Sequence, residues 1–128
     1  MATMQVDIVS AERSLFSGEA TEVYARTPDG EIGILPGHQP CLLALEVAPL
    51  RVKTVDGEEI VLAVHSGFLE FRDNHMSVLA DVAERAEDID VARAEAARRR
   101  AEARLSEQAD AEVLAAYKRA TVRIGVAR

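Results

Sequence analysis

The chain contains no tryptophan, and phenylalanine and tyrosine together make up only 4% of its 128 residues. Large aromatic side chains therefore cannot fill the core, and alanine and valine must carry much of the burial within a 48% apolar composition. A single cysteine, Cys41, excludes an internal disulfide framework and fits a reducing compartment. No apolar run approaches the roughly 18 residues that a membrane-spanning helix needs. The first residues include an acid, Asp7, and lack the basic lead-in and apolar stretch of a signal peptide. A glycine loop closed by lysine and serine or threonine is also missing, which argues against nucleotide hydrolysis by this chain. The formal net charge of −7 opposes nucleic-acid binding, which needs a basic field. These absences predict a soluble single domain, or a small domain with an appendage, that has no membrane span and no nucleic-acid partner.

What is present is unevenly distributed. Residues 1–83 carry 13 acids and 5 bases, whereas residues 84–128 carry 9 acids and 10 bases. An acidic body followed by a nearly neutral, arginine-rich tail suggests two modules with different partners. The body has the pattern of short strands. Met4, Val6 and Ile8 alternate with Gln5 and Asp7, and residues 23–27 form a second run ending at the turn signal Pro28-Asp29-Gly30. Asp56-Gly57 separates residues 50–54 from 60–64 in the manner of a hairpin with a primed turn. Asp73-Asn74 divides residues 67–71 from 76–80 similarly. Many short strands without a helical period between them predict an antiparallel sandwich or barrel.

The tail differs in kind. Between residues 84 and 123 there is neither glycine nor proline, and alanine, glutamate and arginine, all good helix formers, dominate. Glu84, Glu87, Asp88 and Asp90 cluster where a helix N-terminus favours negative charge. Ala94, Ala97, Ala101 and Leu105 recur at helical spacing, as do Val113 or Leu114, Tyr117, Ala120 or Thr121, and Ile124. Ser106 and Asp110 are the only break signals between the two runs, so a helical hairpin is predicted with little to enforce its bend. An alanine face buries little area at roughly 25 cal/mol per Å², so such a hairpin docks weakly while its helices persist by propensity. Two arrangements stay open: a mobile arm with two states, or a fixed helical cap on a free-standing sandwich that binds a small ligand.

Candidate chemistry is sparse. His38 and Cys41 are three residues apart, yet no orienting group or oxyanion pattern accompanies them, and a cysteine among leucines is more simply core. His38, His65 and His75 match no metal-ligand spacing. No catalytic or metal-ligating residue is assigned. Arg93 and Arg100, seven apart, lie on nearly one helix face, and Arg119 and Arg123, four apart, share another. In a folded hairpin the two pairs can converge on an anion with bidentate donors. The plain alternative is a solvated face with local ion pairs.

Residues 30–40 are the most unusual segment, with three glycines and two prolines. They make a short strand and a sharp turn that presents Glu31 and His38, either as a structural corner or as a docking surface. The pattern Gly30-Glu31-x-Gly33-Ile34-Leu35-Pro36-x-His38-x-Pro40 resembles the signature of the epsilon subunit of the bacterial rotary proton-translocating ATP synthase. Gly67-Phe68-Leu69-Glu70, Asn74, Val78-Leu79-Ala80 and Ala83-Glu84 resemble that family's later sandwich motif. The resemblance runs from about residue 4 to 124, with Ser66 standing where many members have a glycine before Gly67. It implies a flattened sandwich of about ten strands over residues 1–86 and a helical hairpin over 87–128. It also implies a non-catalytic central-stalk (rotor) subunit at the cytoplasmic face of the plasma membrane. The sandwich would then bind the gamma subunit and rest on the ring of c subunits, with Glu31 and His38 on the docking surface. The chemistry of ATP synthesis and hydrolysis would lie elsewhere, on the beta subunits.

A second motif, Ile89-Asp90-Val91-Ala92-Arg93-Ala94, resembles the ATP-binding motif of epsilon subunits that sense nucleotide. With Glu84, Arg100, Arg119 and Arg123 it implies a regulatory ATP site. Glu84 and Asp90 would lie at or near the adenine edge, Ile89 and Ala94 against its ring, and the arginines at the phosphates. No cofactor is required, and magnesium need not participate. Extended, the hairpin would present Arg98, Arg99 and Arg100 to the beta (and alpha) subunits and impede hydrolysis.

Overall fold

The computed structural model describes residues 2–108 and 110–127. Met1 and Arg128, the outer limits of the two expected modules, lie outside the described residues, as does Ala109. The alternation at the N-terminus becomes strand β1 (Met4–Ser10), which buries Met4, Val6 and Ile8 on one face. There follow β2 (Ser14–Thr27), β3 (Gly30–Ile34), β4 (Cys41–Leu45), β5 (Ala48–Thr54), β6 (Glu59–Arg72) and β7 (His75–Arg85). A short 3₁₀ turn (Ala86–Asp88) leads into helices α1 (Val91–Glu107) and α2 (Ala111–Ala127).

The strands hydrogen-bond in the order β1-β7-β6-β5-β2, and β2 returns to β1. The sheet thereby closes on itself as a flattened barrel, with β3 added on β2 and β4 on β6. Six of the seven described pairings are antiparallel, while β1 and β7 run parallel, with Gln5 opposite His75 and Ile8 opposite Val78. The antiparallel sandwich or barrel expected from the sequence is thus present, with one parallel pairing within it. The direction of β1 is set by its hairpin with β2 and that of β7 by its hairpin with β6, so closure brings two like-directed strands together. Closure pairs β1, β5 and β6 on both sides, and β2 and β7 over part of their length.

Seven continuous strands stand in place of about ten. β2 and β6 have 14 residues each and β7 has 11, and all three change partners along their length. The first half of β2 lies on β1 and the second on β3 and β5. The first half of β6 lies on β5 and the second on β4, while β1 meets only the first half of β7. Counted by halves, the three long strands supply the ten runs. β6 changes course at Ser66 and Gly67, whose φ angles are 68° and 140°. A Cβ at Gly67 would overlap the Leu79 carbonyl, so the close strand approach there requires glycine.

Of the two predicted primed turns only one forms. Asp73 and Asn74 both adopt positive φ, 53° and 58°, as a type I′ turn requires. The β5–β6 connection instead spans residues 55–58, with only Gly57 left-handed. It is closed by the Thr54 amide donating to the Glu58 carbonyl (2.8 Å) and the Gly57 amide donating to the Thr54 carbonyl (3.0 Å).

The barrel interior is aliphatic apart from Phe71, with Met4, Ile8, Ile34, Leu50, Leu62, Leu69 and Met76 fully buried beside it. On β6 the alternation is lost: Leu62, Ala63, Val64 and His65 are all buried. The inward pair joins the core, and the outward pair is covered by the hairpin. Ala63, Ile89 and Val126 form a second apolar cluster with Val61, Ala86 and Val122. Within the hairpin, Ala94 and Ala101 are buried on α1, and Val113, Ala120 and Ile124 on α2. Both break signals are used. Asp110 Oδ1 accepts from the Val113 amide (2.9 Å) and caps α2, and the Ser106 hydroxyl donates to the Ala103 carbonyl (2.7 Å) near the end of α1.

Ser66→Gly relieves a left-handed serine and is expected to stabilise the chain by about 0.5–1 kcal/mol, while Gly67→Ala costs at least about 2 kcal/mol. Urea unfolding of the two variants checks both signs.

Candidate functional site

The C-terminal half of β7 brings Glu84 to the edge of the hairpin. Glu84 Oε1 accepts from Arg123 Nε of α2 at 2.6 Å and lies 3.2 Å from His65 Nε2 of β6. A carboxylate only accepts, so the ring nitrogen facing it carries the proton. His65 is 5% exposed, and its Nδ1 finds no hydrogen-bonding partner among the described residues. Burial pushes His65 below the ordinary imidazole range; the nearby charges of Arg123 and Arg119 act in the same direction, and Glu84 opposes them.

Beside this contact a cleft of about 310 Å³ opens, lined by Glu84, Asp88, Asp90, Arg93, Ala94, Ala97, Arg100 and Arg123. Its volume lies at the low end of ligand pockets, which begin near about 300 Å³. Arg93 and Arg100 reach it from one face of α1, as their spacing predicts, and Arg123 reaches it from α2. The three carboxylates are each engaged. Glu84 holds Arg123, Asp88 pairs with Arg13 at 2.8 Å, and Asp90 Oδ1 accepts from the Arg93 amide at 3.1 Å as the N-cap of α1. The lining thus carries three carboxylates and three guanidinium groups, and the guanidinium groups can present bidentate donors to an anion. Among the described residues, no three His, Cys, Asp or Glu side chains group to hold a metal.

Six of the eight residues expected at this site therefore line one cleft, and two do not. Ile89 is buried with Ala63 and Val126 under α2, because it is the apolar residue between two acids at the turn and anchors that turn. Arg119 turns toward Glu112 of its own helix, at 3.5 Å. Arg98 lies 3.9 Å from Glu102 one turn on, and Arg99 and Arg100 are exposed.

At residues 30–40, Glu31 is exposed on β3 opposite Arg26. His38 packs edge-on against Phe71, with ring centroids 5.8 Å apart. The loop is a tied corner: the Gly37 amide donates to Asn74 Oδ1 (3.0 Å), and Asn74 Nδ2 donates to the Thr3 carbonyl (2.8 Å). Cys41 pairs with Phe71 in the β4–β6 ladder, and burial pushes its thiol up, away from thiolate chemistry. His38 Nδ1 lies 2.7 Å from its neighbour's carbonyl, that of Gln39. Nearby, Leu42, Phe68 and Leu79 are more than half exposed, and Phe68 and Leu79 face each other across β6 and β7.

Residues 3–86 match the family described as ATP synthase, Delta/Epsilon chain, beta-sandwich domain, and residues 87–128 match its long alpha-helix domain. The ATP synthase epsilon chain of Streptomyces griseus is 48% identical over 123 residues, covering 96% of this chain and 94% of that one. This chain belongs to the ATP synthase epsilon-chain family. The epsilon chain of Dehalococcoides mccartyi is 47% identical over 132 aligned positions, which take in 99% of this chain and 94% of that one. A chain of the Euglena gracilis mitochondrial ATP synthase shares the fold, with a TM-score of 0.76 at 21% identity over 98% of this chain and 78% of that one. Epsilon chains are non-catalytic subunits of the ATP synthase, and no described helix here is long and apolar enough to cross a membrane.

Sequence reasoning had no role for His65 beyond an unsupported metal ligand, and it missed the exposed apolar patch. The burial of His65 depends on which face α2 covers, which local pattern does not encode. Leu79 opposite Phe68, with Leu42 diagonal to it across β4 and β6, was a readable signal only once the strands were paired. Asp90 is a cap as well as a cleft residue. Asp90→Ala is expected to weaken the first turn of α1 by about 1 kcal/mol, raising amide exchange at Arg93 about fivefold, while Asp90→Asn, an equally good cap, leaves it unchanged.

Proposed function

We propose that this chain is a central-stalk subunit of a proton-translocating ATP synthase, at the cytoplasmic face of a bacterial plasma membrane, whose hairpin regulates turnover through a bound ATP. Membership of the epsilon-chain family supports the assignment to the stalk. The exposed apolar patch of Leu42, Phe68 and Leu79 supports a subunit contact on the sandwich, assigned to gamma. The corner carrying Glu31 and His38 is assigned to the c ring.

The observation that carries the regulatory reading is the cleft itself. Arg93, Arg100 and Arg123 come from two helices and meet Glu84 of the sandwich only while the hairpin is folded and docked. An ATP held there by Arg93, Arg100 and Arg123, with Glu84, Asp90 and Ala94 around its base, binds the docked form alone and shifts the population toward it. Ile89 anchors the turn beneath, and Arg119 adds positive charge behind it. Released, the hairpin extends beside gamma and presents Arg98, Arg99 and Arg100 to the beta (and alpha) subunits, which impedes hydrolytic rotation.

Calorimetric titration of the isolated chain with ATP tests the site. Wild type is expected to bind, and Arg93→Ala and Arg123→Ala to bind at least about tenfold more weakly, since each removes a charged hydrogen-bond donor. No heat from wild type up to millimolar ATP overturns the nucleotide site and leaves the stalk assignment standing. Removing the residues after Asp88 is expected to raise ATP hydrolysis by the reconstituted enzyme; an unchanged rate overturns the inhibitory role.

A further inference from the structure

His65 is the one buried polar side chain among the described residues, and the barrel interior does not enclose it. It stands on the outer face of β6, beside Ala63, where α2 forms the cover. Glu84 faces it from β7, and Arg119 and Arg123 act on it from α2, while its register partner on β7, Val82, is apolar. In the docked state the ring donates from Nε2 to Glu84, which Arg123 already holds at 2.6 Å. A second proton would sit on Nδ1, buried without an acceptor, and would place a cation beside two guanidinium groups. The one opposing carboxylate is shared with Arg123. The same side chains that fasten the hairpin therefore keep His65 neutral.

We propose that the His65–Glu84–Arg123 cluster is a proton-operated latch, in which gain of a proton by His65 releases α2 from the sandwich. The proposal rests on the mobile-hairpin reading and adds its regulation. Undocking removes Arg119 and Arg123 and admits water, which returns the ring to an ordinary pKa of about 6.5. The docked form holds it lower, for the reasons given. Docking is then at full strength above about pH 6.5 and weakens as pH falls through that value, until the docked ring itself takes the proton. Between about pH 7.5 and 5.5 the docking constant falls by up to about tenfold. In the intact enzyme, acidification of the surrounding solution would move the hairpin toward its inhibitory form.

The test uses the full chain with Cys41→Ser and a reporter thiol at Val126→Cys, a position 6% exposed on the face of α2 that packs against Ala63 and Ile89. Thiol labelling, normalised at each pH to the denatured chain, reads the undocked fraction. We expect labelling to rise up to about tenfold from pH 7.5 to 5.5, and to stay flat after His65→Gln, which keeps a neutral donor to Glu84. Arg123→Ala should raise labelling at both pH values. A flat profile with His65 present, while Arg123→Ala still raises labelling, overturns the latch and leaves the mobile hairpin standing. Labelling that stays absent even in Arg123→Ala overturns the mobile hairpin itself. If His65→Gln does not fold, the ring's own titration by NMR decides. A midpoint below that of free histidine supports the latch, and an ordinary midpoint overturns it.

Discussion

Residues 62–65 of β6 are dry on both sides, and much else in the molecule follows from that constraint. One side belongs to the barrel core and needs leucine and valine at positions 62 and 64. The other needs an outside cover, and α2 supplies it. This fixes where the hairpin lies, buries His65, and carries Arg123 to Glu84. The covered residues are an alanine and an imidazole, so uncovering them exposes little apolar surface. A large aliphatic pair at those positions would have fastened the hairpin more firmly. The sequence keeps that seat small, as the proposed release of the hairpin requires.

Orientation of the hairpin comes mainly from polar contacts. Arg123–Glu84 and the longer Lys118–Glu46 pair, at 3.7 Å, tie α2 to the sandwich at two places. Partly exposed pairs of this kind contribute modestly to stability, typically below about 1 kcal/mol each. Their value here is registration, and the Arg123–Glu84 pair joins two residues of the cleft wall directly. The small cluster of Ala63, Ile89 and Val126 adds apolar contact between β6, the turn and α2. Weak adhesion and exact placement are compatible when the contacts are charged and few.

Much of this was legible in the sequence. The alternation of Met4, Val6 and Ile8, the Asp73-Asn74 turn and the alanine-rich tail each state their structure locally. The seven-residue spacing of Arg93 and Arg100 put both on one cleft wall. Other features depend on long-range geometry. The three long strands look like separate short ones because changing partners midway leaves a local break, at Ser66 and Gly67 for example. Ile89 reads as a ring contact by motif, yet packing places it under α2. Asp56-Gly57 looks like a primed pair, but the extra residues of its loop let Gly57 alone take the left-handed angle. His65 shows the limit most clearly, since its environment is assembled from β6, β7 and α2.

The parallel pairing of β1 with β7 bears on how the chain comes together. β1 can find β2 at once, but its other neighbour begins at His75, so the barrel stays open along one seam until most of the sandwich exists. Contacts of that sequence separation are slow to form, and the unpaired flank of β1 is a hazard meanwhile. During synthesis the hairpin emerges only after the seam can close. Because strands alone make the barrel's hydrogen-bond ladder, the hairpin release proposed above would break none of the pairings beneath it.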